Sequence, residues 1–458
     1  MTDTPSRTRA RAVPASRTGR LLRLGGAAST VAGALAVSGA GALMRGERPE
    51  FRDLLLTPAN VGRITDELAR MRGAAMKVGQ LVSLDAGEVL PPELAEIMAR
   101  LRADADYMPP RQLREVLTRA WGSGWTGGFA RFDVRPIAAA SIGQVHRALT
   151  KDGRDLAIKV QYPGIRRSID SDVTNVGALI RMSGLLPRGL EIGPLLEEAK
   201  RQLHEEADYA REAVEMTRFG MLLKEDPSFC VPEWAEDLST ETVLAMTYLP
   251  GTNIDSLLTA DQDTRDRTAT QLIDLVFREL FEFGYMQTDP NFANYRYDPD
   301  SAKIILLDFG AARPVPTELS EAYAALFSAA LTGQDLAPAA LELGFFDKAT
   351  APHHKAQIIS MMTEAFAPMR TGEILDFGDR ERSRRLTEQA MEMAEDPTMT
   401  HIPPVETLFL QRKFAGMYLL ASRLRARVDV AGILARRLPA GERSGAGITQ
   451  PAVAAAGG

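Results

Sequence analysis

The sequence predicts an α+β protein in two parts, a small β-rich region followed by a mostly helical one. Three observations carry that prediction. Between Phe129 and Val160 the apolar period shortens to that of strands. Two more short strand-like runs, around Cys230-Val-Pro232 and over Thr242 to Thr247, follow a long helical stretch. After Gly251 the period is helical almost throughout. A chain of 458 residues is long enough for two or three domains, each with its own core. Its 45% hydrophobic and 25% charged content is that of ordinary globular proteins, which excludes a wholly disordered, collagenous or many-span membrane chain. With 54 Lys plus Arg against 60 Asp plus Glu the net charge is -6, which argues against an extended nucleic-acid surface, and no nucleic-acid partner is expected. The single cysteine, Cys230, cannot form an internal disulfide, and five histidines without a Cys-x-x-Cys offer no zinc framework. A reducing compartment is expected.

In chain order, Arg7, Arg9, Arg11, Arg17, Arg20 and Arg23 precede an uncharged Gly/Ala/Ser-rich tract from Leu24 to Met44. That tract has the length of a membrane helix but little of its oiliness. Three readings stay open: a disordered tail, a membrane-associating segment, or a cleaved export signal. From Thr57 to Trp121 the pattern is helical, with Ile64, Leu68, Met71 and Ala75 on one face and Leu94, Ile97, Met98 and Leu101 on another. Ser141 to Ala148 and Leu156 to Val160 read as strands joined by a Lys151-Asp-Gly-Arg154 turn. Helical spacing resumes from Ile169 to Leu186 and from Leu195 to Leu223. Tyr295 to Tyr297 and Lys303 to Leu307 form a hairpin-like pair, and Gly441 to Gly458 reads as a frayed tail.

The most informative segment is Asp289-Pro-Asn-Phe-Ala-Asn294, followed after one strand by Asp308-Phe-Gly310. Phosphates repel an incoming nucleophile, so divalent ions must bridge them, and an Asp with an Asn amide oxygen supplies hard ligands for Mg2+. Asp308 and Asn294 are the expected metal ligands. Asp289 is expected to orient or deprotonate the nucleophile. Asp-Phe-Gly alone is equally a turn after a buried strand; its pairing with Asp289 and Asn294 carries the chemistry. Lys159 interrupts the apolar strand Ala157-Ile-Lys-Val160, and a half-buried ammonium needs an anion. In a nucleotide site such a lysine contacts the ATP α/β-phosphates and is held by a helix carboxylate. Within Glu205 to Glu212, Asp208 and Glu212 are four apart and share a face of the expected helix, unless the run is a surface charge cluster. Glu212 is the preferred partner of Lys159, with Glu206 next. Ala138, Ala139, Ala140 and Ser141 lie where a nucleotide-covering loop belongs, although their Cβ atoms restrict the backbone in a way a glycine loop avoids. Read alone, that stretch is a structural hairpin. Lys77 in Lys77-Val-Gly-Gln80 has no general phosphate mechanism and by itself reads as a solvated helix position.

Taken in order, Lys77 to Gln80, Ala138 to Val145, Lys159-Val-Gln-Tyr-Pro-Gly164, Glu206-Ala-Asp-Tyr209, Met286-Gln-Thr-Asp-Pro-Asn291 and Leu307-Asp-Phe-Gly-Ala311 resemble the AarF-domain, or UbiB-type, atypical protein-kinase-like family linked to ubiquinone biosynthesis. The resemblance runs from Arg72 to Arg425. Many bacterial members carry histidines around the aspartate, whereas Gln287 and Asn291 stand at those places here, as in the mitochondrial coenzyme Q branch. The resemblance implies a two-lobed protein-kinase-like fold with an N-terminal helical extension packed over the active-site cleft. The implied parts are a tail or membrane-associating segment over 1–48, the extension over 49–128, an N-lobe with a helical insertion over 129–250, a helical C-lobe over 251–440 and a flexible tail over 441–458. Lys77 would reach into the site near Glu206 and Asp208, and Asp289, Lys159 and Lys77 would be the catalytic side chains. ATP and Mg2+ are the implied cofactors, with Ala138 to Ser141, Lys159, Glu206 and Glu212 around the nucleotide. Few residues separate Gly310 from the helix expected near Thr317, so a conventional activation segment has no room and protein phosphorylation in trans is disfavoured. The implied activity is that of a kinase-like ATPase supporting ubiquinone biosynthesis. It would act on a precursor lipid or on the pathway's enzymes, at the inner face of a membrane from the cytoplasmic side. A kinase for a small molecule or protein, and a nucleotide-binding scaffold or chaperone, are the competing readings.

Overall fold

The computed structural model describes residues 68, 71–85, 107–183, 192–395, 401 and 403–440. The expectations for the tract from Leu24 to Met44, the face from Leu94 to Leu101 and the tail after residue 440 lie outside them. The described residues fall into two compact units, one within Met1–Thr217 and Pro232–Tyr248, the other within Arg218–Val231 and Leu249–Gly458.

In chain order the elements begin with α1 (Arg72–Asp85) and α2 (Pro110–Trp121). Pro110 suits the start of α2, whose first N–H groups have no partner in the helix, and Gly122 ends it at φ 84°. Strands β1 (Phe129–Phe132), β2 (Ala138–Ala139), β3 (Gly143–Thr150) and β4 (Asp155–Gln161) follow. Helices α3 (Ile165–Ser183), α4 (Ile192–Glu206) and α5 (Tyr209–Leu222) come next, then β5 (Phe229–Cys230) and β6 (Val243–Thr247). The expected β3–β4 hairpin is present, its turn made by Gly153 at φ 92°. The first unit holds one antiparallel sheet ordered β1-β3-β4-β6, with β2 also paired to β3. Its core joins Leu113, Val116 and Leu117 of α2 to Ala148, Leu156, Ile158, Val160, Val243 and Ala245 of the sheet. Because successive strand residues face opposite sides, Ile158 and Val160 on that core turn Lys159 to the other face. On α1, residues pack against α3 and α4.

The second unit contains β5, which the sequence groups with 129–250. Phe229 and Cys230 instead pair in parallel with Ile304 and Ile305. A two-residue strand is too short to carry its own partner preference, so the sheet edge available decides. After β7 (Thr252–Asn253), α6 (Gln262–Arg278) is capped by Asp261, which accepts from the Thr264 N–H at 2.7 Å. It continues into one π-helical turn, Glu279–Phe283, closed by Gly284 at φ 59°. The expected hairpin is β9 (Tyr295–Asp298) with β10 (Lys303–Leu306), preceded by β8 (Tyr285–Gln287), which pairs with β11 (Ala312–Pro314). Pairing with β8 therefore uses up the short stretch after Gly310. Helices α7 (Thr317–Thr332), α8 (Ala337–Glu342), α9 (Pro352–Thr371), α10 (Arg380–Glu395), α11 (Val405–Leu424) and α12 (Val430–Arg437) complete it, with a small pair of strands, Leu375–Asp376 and Arg427–Val428. Phe277, Tyr323, Phe327, Phe366 and Phe414 form its aromatic core, Phe277 meeting Phe327 edge-on at 5.4 Å. Among the described residues no helix is long and apolar enough to cross a membrane.

Candidate active site

In the first unit Lys159 Nζ donates to both oxygens of Glu212, at 2.7 and 2.8 Å. The pair is buried, at 8% and 2% exposure, and the Tyr209 ring lies 5.3 Å from the ammonium. Glu212 sits in the first turn of α5, where the helix dipole favours a carboxylate. Contrary to what the four-residue spacing suggests, Asp208 does not share a helix face with it. The helix ends after Glu206, and Asp208 caps α5, its side chain accepting from Arg211 N–H at 3.1 Å. Glu206 has other partners: it forms an ion pair with Lys77 and accepts from Ser141 Oγ at 2.5 Å. Lys77 is only 4% exposed, so the solvated-helix reading of that residue is overturned. What buries it is close packing of α1: a Cβ on Gly73 would stand 2.8 Å from the Ser141 carbonyl oxygen. Ala138 and Ala139 form β2 and are exposed, and Ala140 N–H donates to Gly143 O at 2.9 Å.

In the second unit the Asp289 carboxylate is gripped from two sides. Oδ1 accepts from Arg412 Nη2 at 2.9 Å, and Oδ2 accepts from Asn294 Nδ2 at 3.3 Å. Asn294 ends a 3-10 turn, Phe292–Asn294, that begins on Asn291. Asp308 follows β10; its Oδ1 accepts from Gly310 N–H at 3.0 Å, and its carbonyl accepts from Gln287 Nε2 at 3.2 Å. Gln287 thus ties the segment bearing Asp289 to the segment bearing Asp308. Phe309 is buried against Phe219, ring centroids 5.0 Å apart.

Sequence reasoning misses Arg412, Lys413 and Glu279, which are 8%, 1% and 1% exposed. Lys413 Nζ lies 3.2 Å from Glu279 Oε2 and donates to Tyr295 OH at 3.3 Å. Burial pushes the Glu279 carboxyl above its ordinary range. For Lys413, burial works toward deprotonation, but Glu279 and Tyr295 outweigh it and keep the ammonium charged. A signal exists: Arg412 and Lys413 are the only charged residues in the mostly apolar run from Leu408 to Leu420. Side chains charged in such a helix need buried partners.

The donor chemistry fits magnesium and a nucleotide. Among the described residues no three His, Cys, Asp or Glu side chains cluster as a metal site. Mg2+ is held by one or two carboxylates plus substrate phosphates and water, and the Asp308 carboxylate and the Asn294 amide oxygen are donors of that hard-oxygen kind. Gln287 Oε1 is a buried acceptor with no hydrogen-bond partner among the described residues, available to a water or ligand donor.

A family model described as the ABC1 atypical kinase-like domain matches residues 100–339. The chain is 38% identical over 425 residues to the atypical kinase COQ8, mitochondrial, of Saccharomyces cerevisiae, covering 92% of this chain and 84% of that protein. With the atypical kinase COQ8B, mitochondrial, of Rattus norvegicus it shares 40% identity over 433 residues, 92% of this chain and 80% of the relative. The solved Rv3197–erythromycin complex from Mycobacterium tuberculosis has the same fold, with a TM-score of 0.58 at 24% identity over 82% of this chain and 94% of that one. The fold is the two-lobed α+β kinase-like one, and the chain belongs to the ABC1, or UbiB/AarF, atypical kinase-like family, among its COQ8 members.

Proposed function

We propose that this chain is an Mg-ATP-dependent kinase-like ATPase that supports coenzyme Q biosynthesis, acting on a precursor lipid or on the enzymes that process it. The observation that carries the reading is the buried Lys159–Glu212 pair: a desolvated ammonium held by both oxygens of one carboxylate is pre-set to meet phosphate. Lys159 would take the α/β-phosphates. Asn294, whose Nδ2 is given to Asp289, would present its Oδ1 to magnesium together with the Asp308 carboxylate. Bound magnesium would neutralise charge on the transferred phosphoryl group. Asp289 would accept a hydrogen bond from the attacking water or hydroxyl and so orient it. Lys77, paired with Glu206, and Ser141 on the same carboxylate would hold the Ala138–Ser141 hairpin against α1, restricting how that hairpin covers a nucleotide. The coenzyme Q assignment rests on the COQ8 relatives, and action at a membrane surface belongs to the proposal.

The test is the lipid-quinone profile of a strain lacking the endogenous COQ8-type protein, rescued with wild type or with Asp289→Asn. Rescue by wild type alone supports the reading. Equal rescue by both would favour a nucleotide-binding scaffold whose hydrolysis is incidental.

A further inference from the structure

Helix α11 lies outside the stretch matched by the family model, yet it holds the loop that carries Asp289 at three points. Arg412 donates to Asp289 Oδ1 at 2.9 Å. Lys413, the next residue, donates to Tyr295 OH at 3.3 Å and pairs with Glu279, so the loop's far end is tied to the same turn of the helix. One turn on, Gly416 meets Pro290 so closely that a Cβ there would stand 2.2 Å from the proline Cβ. We propose that Arg412 is a positioning residue for phosphoryl transfer: its buried guanidinium sets the plane of the Asp289 carboxylate. This rests on the reading of Asp289 as the residue that orients the nucleophile.

A carboxylate on a two-torsion side chain rotates easily about its last bond unless both oxygens are engaged. Arg412 takes one oxygen and the Asn294 amide the other, which leaves the remaining lone pairs aimed in fixed directions. Without Arg412 the Asn294 amide is, among the described residues, the one side-chain donor left on that carboxylate. The carboxylate would then turn about its last bond and no longer hold its remaining lone pairs toward the nucleophile. An arginine suits the task better than a lysine, because its planar fork fixes direction and its charge persists when buried. Lys413 and Glu279 keep α11 in register so that the guanidinium cannot slide along the loop. Burying three charged side chains beside one loop is costly, and such a cost is retained where geometry matters more than stability.

The experiment compares wild type, Arg412→Gln, Arg412→Lys and Asp289→Asn in the full chain, measuring ATP hydrolysis, Mg-ADP affinity by calorimetry and melting temperature. A misplaced catalytic group costs about 100-fold in turnover. Arg412→Gln is therefore expected to lower kcat by about 100-fold, with KM for ATP and Mg-ADP affinity unchanged. Arg412→Lys keeps the charge without the fork and is expected to restore only part of that loss. Wild-type kcat in either Arg412 variant overturns the proposal, as does a loss of kcat that tracks a loss of nucleotide affinity. Failure of both variants to fold also overturns it, since Arg412 would then serve stability. Retained turnover in Asp289→Asn would instead sink the underlying reading of the site, whatever the Arg412 variants do.

Discussion

Replacing Glu279 by Gln removes one charge from the most deeply buried ion pair described in this protein and leaves the Lys413 ammonium without its counter-ion. Both side chains are about as inaccessible as any among the described residues, at 1% exposure. Taking one partner from such a pair costs about 3–5 kcal/mol, far more than the loss of an exposed bridge, because the remaining charge cannot reach water. At roughly 2–4 °C per kcal/mol for a unit of this size, the second unit should melt about 6–20 °C lower. The double variant Glu279→Leu, Lys413→Met removes both charges and fills the space with apolar atoms, so it should recover most of the loss. Trp121, Trp125 and Trp234 all belong to the first unit, so their fluorescence reports that unit alone. Far-ultraviolet circular dichroism and calorimetry report both units, so a transition they show without a tryptophan counterpart belongs to the second. The expected result is early loss of helix signal in Glu279→Gln with an unshifted tryptophan transition. A Glu279→Gln protein as stable as wild type, or a double variant as unstable as the single one, would refute the reasoning.

Four more outcomes are expected. His146 is buried, its Nδ1 meeting Asp133 O and its Nε2 the Gln144 amide, each at 2.8 Å, and burial holds it below its ordinary value against the Asp133 carbonyl and charge. The unfolded chain therefore takes up a proton near pH ~6.5 that the folded one refuses, so stability of the first unit is lost as pH falls below that point, by up to about 1.4 kcal/mol per pH unit. Tryptophan-monitored unfolding from about pH 7 to 5 should show this slope reduced in His146→Gln; equal slopes in both proteins would remove His146 as its source. Gly416→Ala should destabilise the second unit by about 1–3 kcal/mol through its clash with Pro290, read by chemical denaturation. In a double-mutant cycle on Mg-ADP affinity, Lys159→Met and Glu212→Gln should couple strongly, the second change adding little once the first is made; additive effects would count against the pair acting as one. Glycine at Ala138, Ala139 or Ala140 should change ATP and ADP affinity by freeing the hairpin backbone, and identical calorimetric titrations would dismiss a role for it in nucleotide binding.

The sequence determined whatever depends on a residue's own element. Strand alternation puts Lys159 on the face opposite Ile158 and Val160, and the spacing from Asp289 to Asn294 brings amide and acid together across one short turn. The motif order also carries the family. Tertiary structure decided the partners. Glu212 rather than Glu206 holds Lys159, because the break at Ala207 and Asp208 ends one helix and starts another, a kink too local for helical periodicity to reveal. Lys77 is buried since Gly73 lets α1 approach the Ser141 backbone. Arg412 reaches Asp289 across 123 residues of chain. Pattern in a sequence reports how often a side chain turns toward a core, whereas which buried charge meets which is set by packing between segments that no local period connects.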